Sequence, residues 1–259
     1  MCSRTPASVR RRCTEMRTLP AALAERFHRE ADQLAGVDEA VYSAAGRDVH
    51  DPVFGLGPRE AKIAFFGRDP GRDEIHIGVP FIGAGGRQLR RVLYRRHYHG
   101  ELVTTEQALA AGEGYFWANT VPYKPLGNKA WSMGVKRRFQ PLVAEVLSHQ
   151  WTGRHVITLG REAFFWFGIG QTSDVRARLE AHWADPQRFG INQPAALRQH
   201  LTHHWRQADR FETELTVDFV TPQGEPRPLT LHPLPHPSPL NATWFKHFPG
   251  LLEARLERI

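Results

Sequence analysis

The chain has 259 residues, enough to bury a sizeable core within one domain. Lysine and arginine number 34 against 27 acidic residues, and the formal charge of +7 suits a polyanionic partner, because nucleic-acid affinity rests largely on phosphate neutralisation. The two cysteines, Cys2 and Cys13, exclude a disulfide framework, a cysteine zinc site and a cysteine-held iron–sulfur cluster, and no apolar run approaches the ~20 residues that span a membrane.

Residues 1–18 read as a basic flexible tail, with five arginines and no apolar stretch of the kind a secretory signal carries. A cytoplasmic, nucleoid-associated monomer with no membrane contact is the expectation. Residues 19–259 read as one domain. Leu23, Phe27 and Leu34 predict a helix over 21–34, and Lys62–Phe66 predicts the first strand. A loop is expected over 67–86, where eight positions are glycine or proline, and a strongly basic helix over 87–96. Strands follow at 115–119 and 155–159, with an amphipathic helix at 136–151 between them and another helix beginning at 161–167. The polar, His/Arg-rich stretch 171–212 reads as an insertion or a lid-like helical excursion. Two strands, 215–220 and 228–231, flank a turn at Pro222–Glu225, and a helix over 244–256 closes the chain. Strands alternating with helices imply an α/β fold with a mainly parallel sheet covered on both faces.

Two loops carry the chemistry. Gly67-Arg68-Asp69-Pro70-Gly71 follows the first strand, and His236-Pro237-Ser238-Pro239-Leu240 follows the last. In open α/β sheets ligands bind just beyond the carboxyl ends of strands, so an acid and a histidine there read as two halves of one site. Taken alone, Asp69 is more readily an Asx-turn or capping residue. His236 rather than His232 is the candidate, because His232 falls within or at the end of the strand, where it packs or caps.

These motifs resemble those of the uracil-DNA glycosylase superfamily. Gly67–Gly71 with Asp73-Glu74 is similar to the family 4 frame Gly-Glu-Ala-Pro-Gly, but holds the aspartate of the family 1 run Gly-Gln-Asp-Pro-Tyr-His. Gly78-Val79-Pro80-Phe81-Ile82-Gly83-Ala84-Gly85 resembles the family 4 run around its base-stacking phenylalanine, and Asn119 to Lys129 resembles Asn-x-x-x-x-Arg-Pro-Pro-Gly-Asn-Arg. His236–Pro239 matches the closing His-Pro-Ser-Pro. With the strand pattern, the resemblance implies a three-layer α/β/α fold around a central, mainly parallel four-stranded sheet. It implies a DNA glycosylase with Asp69 and His236 as catalytic groups and a base pocket of Arg68, Gly71, Phe81 and Asn119. Lys124, Lys129, Ser238 and Leu240 would contact DNA, single- or double-stranded. Family 4 members hold an iron–sulfur cluster on four cysteines; this chain lacks that set, and no cofactor or metal is expected. Family 1 has at Gly71 a tyrosine that excludes thymine's methyl group, and a glycine leaves that discrimination to another side chain. Two other readings stand beside this one: a non-catalytic nucleic-acid-binding relative, and a metal-dependent phosphoesterase using His97, His99, His203 and His204.

Overall fold

A computed structural model describes residues 17–185, 188–189 and 209–259. Its centre is a five-stranded sheet of β1 (Ile63–Gly67), β2 (Phe116–Asn119), β3 (His155–Leu159), β4 (Leu215–Val220) and β5 (Pro226–Leu234), ordered β2-β1-β3-β5-β4. The four strands β2, β1, β3 and β5 run parallel, and β4 adds a fifth, antiparallel to β5. Turn length explains the addition. A parallel neighbour needs a crossover of a dozen or more residues, whereas Thr221 to Glu225 closes on itself through a 2.8 Å backbone hydrogen bond and permits only a hairpin.

Burial follows each strand's place. β1, an interior strand, is buried along its whole length, and so is β2, an edge strand whose outer side is covered by the bridge between Gly55 and Trp117. β4 alternates buried Val217 and Phe219 with exposed Thr216 and Asp218, the signature of an edge with one wet face. Large aromatic rings fill the layers beside the sheet: Phe65 stacks on Trp117 at 4.6 Å, and Phe66 packs on Trp166 at 4.8 Å. Each such ring contributes about 1.5–3 kcal/mol of burial.

The helices are α1 (Ala21–Ala31), α2 (Glu39–Ala45), α3 (Arg72–Ile77), α4 (Ala84–Tyr98), α5 (Thr105–Gly112) and α6 (Met133–His149). They continue with α7 (Arg161–Trp166), α8 (Ser173–Trp183), α9 (Asp209–Glu212), α10 (Ala242–Phe245) and α11 (Phe248–Arg258). Several depart from expectation for identifiable reasons. The loop expected over 67–86 contains α3, started by Asp73 and Glu74 in its first turn and stopped by left-handed Gly78 at φ 78°. α4 begins at Ala84 instead of Arg87, because Gly85 and Gly86 serve close packing here, not chain breaking. A Cβ on Gly85 would lie 3.0 Å from the Pro237 carbonyl oxygen, and one on Gly86 would overlap the Phe81 carbonyl. The closing helix is split into α10 and α11, since Pro249 fits only a first helical turn. α2 and α5 were not anticipated, although α5 carries a capping box in which Thr104 Oγ1 accepts from Gln107 N–H at 3.2 Å and Gln107 Oε1 accepts from Thr104 N–H at 3.0 Å. Within 171–212, α8 buries Val175, Leu179 and Trp183 in the core, so that part is packed, not a lid. Residues 190–208 of this stretch, including His203 and His204, lie outside the described residues, as do Cys2 and Cys13. No helix among the described residues is long and apolar enough to cross a membrane.

This topology fixes where a ligand can bind. The chain leaves β1 towards β2 on one side of the sheet and leaves β3 towards β5 on the other. The carboxyl ends of neighbouring β1 and β3 therefore open at a topological switch point, the crevice that open α/β sheets use for ligands.

Candidate active site

A cavity of about 920 Å³ opens at that crevice, lined by Arg68, Asp69, Gly71, Phe81, His236 and Ser238 among others. The loop leaving β1 is fastened to the loop leaving β2. Gly67 O accepts from Thr120 N–H at 2.9 Å, and the Thr120 hydroxyl donates to Arg68 O. Pro70 restricts Asp69 to extended backbone and so stiffens the turn. The Asp69 side chain is only 6% exposed, and the Arg68 guanidinium grips both its oxygens, Nε to Oδ1 at 2.6 Å and Nη2 to Oδ2 at 3.1 Å. Arg68 Nη2 also donates to Asn128 O at 3.3 Å. Burial pushes the Asp69 carboxyl above its ordinary range, opposed by the Arg68 guanidinium and by the more distant charges of Lys136 and Lys124.

His236 stands two residues beyond the end of β5 and faces the same cavity. Its ring is exposed to the cavity while protein packs round its other sides, Gly160 at the end of β3 among them: a Cβ there would lie 3.1 Å from His236 Cβ. That crowding, with the charge on Arg68, pulls the imidazole pKa down to about 4 and keeps the ring neutral at pH 7. The loop is locked from within. Asn241 Nδ2 donates to His236 O at 3.1 Å, Asn241 N–H donates to Ser238 O at 2.9 Å, and Ser238 Oγ accepts from Leu240 N–H at 3.2 Å. Leu240 projects from it, 86% exposed.

Phe81 and Asn119 meet over Gly67. A Cβ on Gly67 would overlap the end of the Phe81 ring and lie 2.7 Å from Asn119 Oδ1. Phe81 sits at φ 56°, a left-handed conformation a bulky residue rarely adopts, with its ring 5.6 Å from that of Trp117. Asn119 closes β2, 2% exposed, and is not among the residues lining the cavity wall. A side chain at Gly71 would have to displace the Glu74 carboxylate, because a Cβ would lie 2.5 Å from Glu74 Oε2.

One of the expected DNA contacts differs. Lys124 is buried, with its ammonium committed to Asp38 Oδ2 at 2.9 Å, Pro125 O at 3.0 Å and Gly127 O at 2.7 Å. An ammonium has three donors and all are used, so Lys124 clamps its own loop and offers nothing to phosphate. Lys129 is exposed but lies away from the cavity wall. His97 bonds Tyr115 Oη at 3.0 Å, and no group of three or more His, Cys, Asp or Glu side chains among the described residues is arranged to hold a metal ion. His232 packs within β5, accepting from Arg255 Nη1 at 3.1 Å and lying 3.0 Å from His155 Nδ1.

The structure also gives roles to residues that the sequence left without one. Glu74 accepts from Gly71 N–H at 2.8 Å and from Gly83 N–H at 3.1 Å, tying the acid loop to the start of α4. Its spacing three residues after Gly71 is the sequence signal for such a cap. Asn128 and Asn241 line the cavity too. Arg90, inside α4, holds the Phe81 loop from behind, and nothing in its run of arginines marks it out.

Loops at the carboxyl ends of β1 and β5, on either side of β3, converge on one cleft and define the class: α/β proteins that take their ligand at the switch point. The family follows from comparison. A model of the Uracil DNA glycosylase superfamily matches residues 54–259, and the chain belongs to that superfamily. Membership places it among DNA glycosylases, hydrolases whose substrate is DNA. No curated protein matches the chain.

Proposed function

We propose that the protein excises uracil from DNA as a monofunctional glycosylase, hydrolysing the N-glycosidic bond of a nucleotide flipped out of the stack. The observation that carries this reading is that Asp69, Phe81 and His236 open onto one cavity. A flipped base loses its neighbours, and stacking on Phe81 restores about 1–3 kcal/mol. The Asn119 amide both donates and accepts, which matches uracil O4 and N3–H and mismatches cytosine. As the glycosidic bond stretches, positive charge grows on the deoxyribose and negative charge on the departing base. Asp69, as carboxylate, stabilises the cation and orients the attacking water. Neutral His236 donates a hydrogen bond to the base oxygen where charge builds, a contribution commonly worth a few kcal/mol in a dry site. Ser238 and Lys129 serve phosphates, and Leu240 fills the space the flipped base vacates.

The reading is tested with single- and double-stranded oligonucleotides carrying uracil, hypoxanthine or thymine. Release of free uracil is expected, with strand breakage only after alkali, as a glycosylase without lyase activity gives. A chain that binds these oligonucleotides yet releases no base from any of them would be a non-catalytic relative.

A further inference from the structure

Arg90 is 1% exposed, forms no ion pair among the described residues, and spends its guanidinium on backbone. Nε donates to Phe81 O at 2.7 Å, Nη2 to Pro80 O at 2.9 Å and Nη1 to Ala108 O of α5 at 2.7 Å. In extended chain successive carbonyls point opposite ways. Left-handed Phe81 turns those of Pro80 and Phe81 to one side, where a single planar fork collects both. Cζ of the same guanidinium lies over the Trp117 ring, 4.4 Å from its centroid, and Trp117 in turn neighbours the Phe81 ring. Room for this arrangement depends on glycine on both sides: a Cβ on Gly86 would overlap the Phe81 carbonyl, and one on Gly112 would overlap Arg90 Nη1. An isolated buried cation is an expensive way to join two helices, and burial pulls its pKa down to about 10. A hydrophobic residue would join α4 to α5 without that cost. What it could not do is hold a phenylalanine in a strained backbone conformation.

We infer that Arg90 is a positioning residue for base excision, acting through Phe81 by holding its ring in the left-handed pose from which it stacks on the flipped base. This rests on the excision reading above. Lysine in place of arginine keeps the charge but loses the fork, so Arg90→Lys is the gentler variant and Arg90→Met the full deletion.

The test is a double-mutant cycle of single-turnover excision rates with Arg90→Lys, Phe81→Ala and the pair, alongside Leu252→Ala as a core change on α11 matched for lost stability. Arg90→Lys should slow excision about 10-fold, and Phe81→Ala about 10–100-fold, the span of a lost stacking contact. The pair should be no slower than Phe81→Ala alone, with Leu252→Ala near wild type per folded molecule. If Arg90→Lys costs the same factor with Phe81 present or absent, or if Leu252→Ala is equally slow, Arg90 is structural only and the inference fails. Should wild-type protein release no base at all, the excision reading is what falls. Amide exchange over residues 80–86 then still reads the clamp: faster exchange in Arg90→Lys supports it, and unchanged exchange overturns it.

Discussion

Gly67→Ala is the smallest change that reaches the centre of the proposed base pocket. Its backbone is extended and needs no glycine for conformation; what it needs is space. The added methyl would lie 2.7 Å from Asn119 Oδ1 and 2.8 Å from Phe81 Cε1, closer still to the ring's tip. Carbon contacts relax near about 3.5 Å, so ring and amide must each retreat by roughly 1 Å. Neither can do so freely, since Phe81 is pinned by Arg90 and Asn119 closes a buried strand. Overpacking of this kind costs about 1–3 kcal/mol of stability. Displacing reacting groups by ~1 Å costs on the order of 100-fold in rate, and that is the loss expected in single-turnover uracil release. DNA affinity should hold, because phosphate contacts dominate it and none is touched. Gly250→Ala is the matched control: nothing lies within 4 Å of a Cβ there, inside α11, and it should stabilise by about 0.5–1 kcal/mol with unchanged activity. Gly67→Ala protein that folds and excises uracil at the wild-type rate would refute the placement of the pocket over Gly67.

Two further expectations follow from charge. Arg68 opposes the upward push of burial on Asp69, so Arg68→Met should raise the acid limb of the excision pH profile, slowing the enzyme most on its acid side; an unmoved limb would separate Arg68 from Asp69 ionisation. His232 and His182 are buried and held neutral, with burial bringing them from 6.5 to about 3 and about 4. The unfolded chain therefore binds more protons below pH 6.5, so this stability is complete above that pH and is lost as pH falls towards the folded values. Each site should cost about 2 kcal/mol at pH 5, read from urea midpoints at pH 7 and pH 5, and His232→Gln should shrink the difference between the two pH values by about 2 kcal/mol.

The motif loops were legible because each follows a short apolar strand and is stiffened by proline or glycine, which by itself places Asp69 and His236 at strand ends. The parallel sheet was legible for the same reason. Other features needed three dimensions. Gly85 and Gly86 read as loop residues, yet they open α4 because Pro237 and Phe81 press against them. Lys124 is expected from its motif to contact DNA; only the fold places Asp38 beside it. Arg90 is one arginine among several on a basic helix, and its role depends on Ala108 and Trp117, which its own local sequence does not announce. Glu74 was readable in principle, since a glutamate three residues into a helix after glycine is a capping signal.

The central claim is that Asp69 and His236 form a glycosidic-bond-cleaving site in a superfamily member that acts on DNA. Asp69→Asn keeps size and much of the hydrogen bonding while removing the charge that would stabilise the deoxyribosyl cation. Measured on a single-stranded uracil oligonucleotide under single-turnover conditions, it should lose at least about 100-fold in base release, of the order of a lost general base, while binding the same oligonucleotide as tightly as wild type. Full-rate uracil release by Asp69→Asn would contradict the account at its root.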